Sequence, residues 1–530
     1  MRALLPIALF FLFVTGVFLF FHSPARIQRL KTCRGCNLVI ITIDSLRADR
    51  LPCFGYAYAT ATSLCKFAYD NVIFHKTYAN SSWTLPNEMS LFTGLYPTSH
   101  GIKTTLKDKL NPAVDTLSKV LSSKGYVTTF VSNNQPNVSP EQFGQNFTNI
   151  RITPDPLGDA VNTWLTVIDS IKIANARRQP AFVFFHTDQI HDYQNLITSI
   201  PASFPLDPSY HPPLLNYLFD FTPTVAQLTR DWIELNANRR AGQALQKQYV
   251  TWREQLIKTT GTSMTEKIFH ELPAYDQKII LAKSAAVTLA DRDNKTLVTL
   301  AQHLYDESIR RADPFIGQVL ARLAWDNLLR NTIVVITSEH GELLGESDLL
   351  GHSTILLEPE THIPLIMHIP GIQRAQFSDL VQTIDIYPTV LDLLGIPLPH
   401  TAPGTSLKNL VTGAPNYKKN AYVISQWTSN ENNRSILTDR WHLIETQPTK
   451  QSVLESKLYN IIQDPKEQDN VAKLYPDVVD SLRKTLNETL TSQPKYPPVD
   501  SSFPDWLDEK GRQRLIQTGY FFDAMVTKSL

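Results

Sequence analysis

The stretch "CNLVIITIDSLRADRL" (residues 36–51) decides the fold. It begins with an apolar, β-branched run, Leu38 to Ile43, which is typical of a strand buried on both faces of a parallel sheet. The run ends at Asp44. Because open α/β sheets bind their ligands at the carboxyl ends of the strands, this acid is the first candidate for a functional residue.

Three further runs of this kind follow along the chain, each separated from the last by helix-like sequence. They are "YVTTFVSN" (126–133), "AFVFFH" (181–186) and "TIVVITS" (332–338). Repeated alternation of strands and helices predicts an α/β protein, with a mostly parallel sheet sandwiched by helices.

Two regions depart from this alternation. Residues 194–300 are polar and amphipathic without a strand run, which predicts a helical insertion. After residue 414, a small antiparallel subdomain with a covering helix near 478–490 is predicted by three strand-like segments, "AYVISQW", "RSILTDRWHLIET" and "KLYNII". We therefore expect a main domain over residues 37–414, and a C-terminal subdomain and tail over 415–530.

The overall composition excludes one class of partner. The chain has 530 residues, more than a single typical core needs, and it carries 50 basic and 50 acidic residues. Such a balance leaves no global field to attract a polyanion, so we expect no nucleic-acid partner.

The amino terminus contains an uncharged apolar run, Ala3 to Phe21. As a helix it would be about 28 Å long, close to the thickness of a bilayer core. This predicts a transmembrane signal anchor over residues 1–25 and a stalk over 26–36, with a cleaved signal peptide as the alternative. Basic residues after the run outnumber those before it, which taken alone favours a cytoplasmic main domain.

The four cysteines all lie near this amino terminus, at positions 33, 36, 53 and 65. An even count permits two disulfides in an exported protein. The Cys-x-x-Cys spacing of the first two is also compatible with a redox or metal pair, although no second pair of that spacing accompanies it.

Three of the predicted strands end in side chains suited to a cation or an anion: Asp44, His186, and the pair Glu339 and His340. Singly, such residues are more often caps or packed side chains. Together they converge on one edge of one predicted sheet. Carboxylate and imidazole ligands suit a borderline or hard divalent cation, and the sequence leaves zinc, manganese and calcium open.

Eight segments, in order and spacing, resemble the sulfatases of the alkaline phosphatase superfamily over residues 37–490. They are "NLVIITIDSLRAD", "SSWTLPNEMSLFTGLYPTSHGI", "TLSKVLSSKGYVTTFVSN", "LYDESIRRAD", "NTIVVITSEHGELLGE", "HIPLIMHIPG", "DIYPTVLDLLGIPLP" and "KLYNIIQDPKEQDNVA". The resemblance implies an alkaline-phosphatase-like fold and a metal-dependent hydrolase of small-molecule, glycan or lipid esters. It also implies an exported domain, either anchored to the membrane or secreted.

The same resemblance implies roles for particular residues. It assigns the metal ligands, which are Asp44, Thr84, Glu339 and His340. It also assigns the catalytic side chains, which are Thr84 as nucleophile with His186, His191 and His352 on the substrate side.

The segment "SSWTLPNEMSLFTG" (81–94) departs from the family pattern. Sulfatases with the CxPSR pattern carry, at the position of Thr84, a cysteine that is converted to formylglycine, which cannot form here. A threonine ester has no second hydroxyl to expel sulfate, so it must be released by direct attack at sulfur or phosphorus. This chemistry favours phosphoryl transfer.

Two acidic residues also depart from the pattern. Glu88 stands where the pattern has arginine, and Glu339 replaces an aspartate with a side chain longer by about 1.5 Å. If Glu88 points inward it repels an anionic substrate, whereas outward it is a favourable first-turn acid. We expect the outward orientation.

The leading hypothesis is a metal-dependent hydrolase of a sulfate or phosphate ester. A phosphoethanolamine-type transferase acting on a lipid or surface glycan is one alternative, because it would share the threonine. A catalytically inactive sulfatase-like binding protein is the other, and it is suggested by Asn87, Glu88 and Glu339 together.

Overall fold

The computed structural model describes residues 32–102, 108–132, 146–152, 160–191, 193, 294–352, 355–399, 402–427, 433–447 and 453–499. Most of the predicted helical insertion (194–300), the predicted anchor segment (1–25) and the tail beyond residue 499 lie outside the described residues.

A mixed eight-stranded sheet forms the centre of the main domain. Its strands are β1 (Asn37–Ile43), β2 (Val72–Tyr78), β3 (Val127–Ser132), β4 (Asn149–Ile152), β5 (Ala181–Thr187), β6 (Thr332–Thr337), β9 (His362–His368) and β10 (Ala375–Gln382), and a separate short hairpin pairs β7 (Leu343–Leu344) with β8 (Leu350–Gly351). The order is β10-β2-β9-β6-β1-β5-β3-β4, with β9 antiparallel to both neighbours and all other pairs parallel. All four predicted strands of the main domain are confirmed.

Helices cover both faces of this sheet. They are α1 (Thr62–Tyr69), α2 (Thr84–Thr93), α3 (Pro97–His100), α4 (Leu117–Ser123), α5 (Ala160–Ala176), α6 (Asn294–Trp325), α7 (Glu358–Thr361) and α8 (Ile386–Leu394). Alternate residues of β1 enter two separate cores, because successive side chains of a strand point to opposite faces. Val39 and Ile41 pack with α1, α5 and α6, whereas Leu38 and Ile40 pack with α2, α4 and α8. The predicted helix–sheet–helix sandwich is confirmed.

The C-terminal subdomain is a four-stranded antiparallel sheet in sequential order. Its elements are β11 (Val423–Trp427), β12 (Asn433–Leu437), β13 (Trp441–Thr446), β14 (Glu455–Asn460) and α10 (Pro476–Thr491), and α9 (Lys408–Val411) precedes them. The segment predicted as one strand-like piece, 434–446, is a hairpin of two strands. α10 buries its apolar face against the sheet, as predicted.

The register of the central strands positions the site. Thr42 of β1 pairs with His186 of β5 on one side and with Thr337 of β6 on the other. Just beyond these pairs, the hydroxyl of Ser338 lies 2.7 Å from the carbonyl oxygen of Ile43 and ties the two strand ends together. The residues that follow β1 and β6 therefore meet at one edge of the sheet.

One prediction from the amino terminus is corrected. Within the part of the chain that the structure describes, every helix is too short or too polar to cross a membrane. The predicted membrane-spanning anchor is therefore not supported; the apolar run on which it was based lies outside the described residues. The four cysteines form two disulfides, the number that their even count permits: Cys33–Cys36 and Cys53–Cys65.

Candidate active site

The centre of the site is formed by Asp44, Thr84 and His340, all fully buried. Thr84 is the first residue of α2, and its hydroxyl oxygen lies 3.3 and 3.4 Å from the two carboxylate oxygens of Asp44. The same hydroxyl lies 3.1 Å from Nε2 of His340, which is itself 3.3 Å from Asp44 Oδ1. The residue after strand β1, the first residue of helix α2 and the loop after β6 thus each contribute one side chain.

Hydrogen bonding fixes the protonation of His340. Its Nδ1 lies 2.8 Å from the carbonyl oxygen of Gly341, a contact that requires the proton on Nδ1. The lone pair of Nε2 therefore faces Thr84 and Asp44. Burial, followed by repulsion from His352, holds the pKa of His340 well below its usual value, so the ring stays neutral. Burial raises the pKa of Asp44 to about 7.

Glycine is required immediately after His340. A Cβ atom at position 341 would lie only 1.9 Å from the carbonyl oxygen of Pro359. The backbone nitrogen of Gly341 also donates to the carbonyl of Glu360 at 2.8 Å. This close approach of two loops places the His340 ring against Thr84.

A second group, beside the first, consists of Glu88, His186 and Glu339. Nδ1 of His186 lies 2.8 Å from Oε1 of Glu339 and 3.1 Å from Oε1 of Glu88. Thr42 Oγ1 lies 3.5 Å from Glu88 Oε1. Oε2 of each glutamate and Nε2 of His186 have no hydrogen-bond partner among the described residues, although all three side chains are buried.

The predicted outward orientation of Glu88 is therefore wrong. All ten residues of α2 are buried, so the helix has no solvent face on which a carboxylate can lie. The sequence did not carry this signal, because Thr84, Asn87 and Glu88 are spaced i, i+3 and i+4, as on the exposed polar face of a helix.

Burial and mutual attraction set the charges of this second group. Burial raises the pKa of Glu88 to about 8. Burial opposes the charge of His186, but Glu88 and Glu339 outweigh it and hold the pKa of the imidazole well above its usual value. Burial also favours protonation of Glu339, yet the charge of His186 prevails and lowers the pKa of that carboxyl.

A third group, formed by His191, Glu342 and His352, contacts the first group through His340. The ring of His340 stacks on that of His352 with centroids 4.2 Å apart, and His352 Nδ1 lies 3.0 Å from Oε2 of Glu342. The ring of His191 lies 5.1 Å from that of His352. Burial raises the pKa of Glu342 to about 7. Sequence reasoning missed Glu342, although its position two residues after His340 in the same strand-end loop could have indicated it.

The structure brings all seven predicted site residues into this one region, but it divides the predicted metal ligands. Donor atoms of Asp44, Thr84 and His340 lie 3.1–3.4 Å apart. This is close to the spacing of about 3.3 Å expected between ligands of a four-coordinate zinc ion, so these residues fit a divalent cation. Glu339, by contrast, pairs with His186.

Asn87 connects α2 to the loop that carries Glu339. Its Oδ1 accepts from the backbone nitrogen of Asn80 at 2.8 Å. Its Nδ2 donates to the carbonyl oxygen of Glu339 at 2.5 Å and lies 3.1 Å from Thr383 Oγ1. Asn87 thus has a positioning role between the first two groups.

Comparison with protein families gives two matches. The sulfatase family profile matches residues 36–396, which is more than half of the chain. A second profile, described as the C-terminal region of N-sulphoglucosamine sulphohydrolase, matches residues 350–493.

Individual proteins resemble the chain over different extents. Arylsulfatase K of the dog (Canis lupus familiaris) is 34% identical over 208 residues, which cover 37% of this chain and 38% of that protein. The chain thus matches little more than a third of the length of this relative.

Solved structures resemble the chain over a wider extent. A 2-O GAG sulfatase has a TM-score of 0.60 at 19% identity, with 86% of this chain and 92% of the other covered. The phosphonate monoester hydrolase of Agrobacterium radiobacter has a TM-score of 0.59 at 18% identity, with 86% and 95% covered. These likenesses concern the fold, and they agree with the sandwich described above.

Proposed function

Because the chain belongs to the sulfatase family, we propose that it hydrolyses a sulfate or phosphate ester with Thr84 as nucleophile. One observation carries the proposal. The hydroxyl oxygen of Thr84 lies 3.1 Å from Nε2 of His340 and 3.3 Å from a carboxylate oxygen of Asp44, at the carboxyl ends of the central strands. Such an activated hydroxyl is what nucleophilic catalysis requires.

Asp44, Thr84 and His340 would hold the divalent cation on which the sulfatase family depends. When bound, the cation would lower the pKa of the nucleophile and neutralise charge on the transferred group. The remaining roles belong to residues of the protein. Asp44 and His340 orient the Thr84 hydroxyl, the Asp44 oxygen that the cation leaves free can accept the proton of that hydroxyl, and the carbonyl oxygen of Gly341 keeps the His340 proton on Nδ1 by accepting from it.

Three histidines surround this centre and suit contacts with the ester. His186 contacts Glu339, the ring of His352 stacks on that of His340, and the ring of His191 lies next to that of His352. We assign them to hydrogen bonding of the substrate oxygens and the leaving group. Trp83, whose ring is 5.8 Å from that of His352, supports one wall of this region.

The identity of the nucleophile favours phosphate or phosphonate over sulfate. A threonine ester has a single ester oxygen, so water must attack sulfur or phosphorus directly to release it. The proteins and structures that resemble the chain include arylsulfatases and phosphonate monoester hydrolases. A substrate panel should therefore contain aryl sulfates, phosphate monoesters and diesters, and phosphonate monoesters.

Thr84→Ala, with Thr84→Ser as its matched control, tests the proposal. We expect the alanine variant to lose at least about a thousandfold in kcat/KM, roughly 4 kcal/mol of transition-state stabilisation, because the nucleophile is absent. The serine variant should retain measurable turnover. Unchanged turnover in the alanine variant would exclude Thr84 as nucleophile.

One observation supports the catalytically inactive alternative. Glu88 places a buried carboxylate beside the site, where an anionic substrate must bind. Absence of turnover in wild-type protein that has a full complement of bound cation, for every ester of the panel, would decide for this alternative.

The site of action is a separate proposal: the main domain works outside the cytoplasm. Both disulfides support it, because such bonds persist in oxidising compartments. Titration of the denatured, unreduced protein should find no free thiol. Four free thiols in protein recovered from its natural source would contradict it.

A further inference from the structure

The group formed by Glu88, His186 and Glu339 has the composition of a cation site. Two carboxylates and one imidazole contribute one donor atom each, and these atoms all lie within 4.8 Å of one another. The three side chains come from three different elements, namely α2, β5 and the loop after β6. None of them is more than 1% exposed.

The free atoms of this group point to a missing partner. Oε2 of Glu88 and Oε2 of Glu339 have no hydrogen-bond partner among the described residues, although both carboxyl groups are buried. Buried carboxylate oxygens are almost always hydrogen-bonded, paired or bound to a metal. By contrast, the buried carboxylate of Asp313 accepts hydrogen bonds from the backbone nitrogens of Ser63 and Leu64 through its two oxygens.

From this geometry we propose that Glu88, His186 and Glu339 bind a second divalent cation of the zinc class, distinct from the one at Asp44. Nδ1 of His186 lies 2.8 and 3.1 Å from the two Oε1 atoms. Ligands of a four-coordinate zinc ion are about 3.3 Å apart, so the side chains need to move outward by only a few tenths of an ångström.

The ligand set selects the class of ion. Calcium takes about six to eight oxygen ligands, whereas this group offers a nitrogen and at most four carboxylate oxygens. A zinc-class ion accepts both donor types. It balances the two carboxylates while His186 stays neutral, so the buried site carries no net charge and avoids the cost of an isolated buried ion.

Coordination through Nδ1 has a consequence for His186. It leaves the ring proton on Nε2, the nitrogen that has no partner among the described residues. That N–H can then donate to an oxygen of a bound ester. In this arrangement Glu88, at the position where the family pattern has arginine, contributes to anion binding through the cation instead of repelling the substrate.

The test is zinc stoichiometry in the full chain, measured after equilibration with zinc alone and removal of the free metal. Glu88→Gln should bind one ion fewer than the wild type, with the affinity of that site weakened at least about a hundredfold, because loss of a ligand costs more than loss of a supporting residue. Glu307→Gln, a change of another buried glutamate that pairs with arginines on α6, is the matched control and should bind as many ions as the wild type.

Two further variants keep the outcome decisive. His186→Gln should also lose one ion, which covers the case in which Glu88→Gln does not fold. Asp44→Asn should lose the other ion, yet zinc should still raise its thermal midpoint, since a cation that binds only the folded state stabilises it.

Equal zinc counts in the wild type, Glu88→Gln and His186→Gln would overturn the proposal and show that the group holds protons instead. Failure of the proposed function gives a different pattern. In that case Thr84→Ala leaves turnover unchanged or the wild type has none, while the loss of one ion in Glu88→Gln persists.

Discussion

In the C-terminal subdomain, the buried carboxylate of Glu445 accepts hydrogen bonds through both oxygens, from Arg434 at 3.0 Å and from Arg483 at 2.6 Å. At the strand-end site, Glu88 and Glu339 are equally buried, yet each keeps one oxygen without a partner among the described residues. Both regions bury ionisable groups, but only the first gives all of its carboxylate oxygens a partner.

The difference separates charges that serve the fold from charges that serve chemistry. A buried pair becomes strongly destabilising when one partner is removed, so Glu445 contributes to folding in its present context. Unpartnered buried acids cost stability and are found preferentially at functional sites. Removal of charge from the site should therefore lower activity without lowering stability, and removal of charge from the subdomain should do the reverse.

The largest effect is expected for Asp44→Asn. Activity should fall at least about a thousandfold, roughly 4 kcal/mol, because the carboxylate that would bind the cation and that accepts from the Thr84 hydroxyl loses its charge. Burial raises the pKa of Asp44 from 3.8 to about 7, so the folded protein binds a proton at this carboxyl more tightly than the unfolded chain does. The stability that this proton contributes is fully present below pH 3.8 and is lost as pH rises through 7.

Unfolding in chelator at pH 8 checks the second half of this prediction. Because asparagine has no charge to bury, the variant should have a free energy of unfolding equal to or above that of the wild type. A variant that is substantially less stable but hydrolyses the ester normally would contradict the prediction, because Asp44 would then serve the fold and not the chemistry.

Glu445→Ala should show the opposite behaviour. It leaves Arg434 and Arg483 without their shared acceptor, and we expect a loss of about 3 kcal/mol in the free energy of unfolding, with turnover per folded molecule unchanged. Glu455→Ala, a change at an exposed glutamate on β14, is the control and should be nearly neutral. Denaturant unfolding measures both variants, and equal stabilities would show that the buried pair is not structural.

The sequence predicted the parts of the fold that depend on local pattern. Strand β1 and its parallel neighbours have apolar, β-branched runs long enough to be recognised without tertiary information. Strands β2 and β10 were missed, because residues such as His75, Lys76 and Asp379 interrupt the apolar pattern at positions that are only half-buried. Their place in the sheet depends on pairing with distant segments.

The site was predicted in the same uneven way. Asp44 and His340 follow strands and His186 lies at the carboxyl end of one, so topology alone brings them together. The side on which Glu88 would lie depended on how completely α2 is covered, and the separation of Glu339 from Asp44 depended on which neighbour its longer side chain reaches. Neither is a local property of the sequence.

Asn87 refines the comparison, because it lies within the site but has a partner for each of its polar atoms. Asn87→Ala should lower the free energy of unfolding by about 2 kcal/mol, since it leaves buried groups unpaired. It should also reduce activity by about 10- to 100-fold, because α2 and the Glu339 loop would shift relative to each other.

Asn87→Asp is the matched variant for this position. It keeps the acceptor for the Asn80 nitrogen but loses the donor to the Glu339 carbonyl. Activity and stability measured on both variants decide whether Asn87 positions the site or only stabilises the fold. A loss of stability with no loss of activity would place Asn87 with Glu445 as a purely structural residue.

The smallest expected effect concerns His100, a buried histidine near the site whose ring nitrogens both have partners. Nδ1 accepts from the backbone nitrogen of Ile102 at 3.1 Å, and Nε2 lies 3.2 Å from the carbonyl oxygen of Pro86. Burial lowers the pKa of His100 from 6.5 to about 3. Its contribution to stability is therefore complete above pH 6.5 and is lost as pH falls from 6.5 towards 3, by about 1.4 kcal/mol per pH unit.

His100→Gln removes this titration while keeping a side chain that both donates and accepts. The loss of unfolding free energy between pH 7.5 and 5.5, measured in urea, should be about 1 kcal/mol smaller in the variant than in the wild type. The site acids have raised pKa values and change the unfolding free energy with pH in the opposite direction, but they do so equally in both proteins. Their contribution therefore cancels in the difference between the wild type and the variant. The same pH dependence in both proteins would mean that His100 is protonated inside the fold. Partners on both ring nitrogens would then not keep a buried histidine neutral, and the number of partners would not distinguish a structural histidine such as His100 from one with an open nitrogen such as His186.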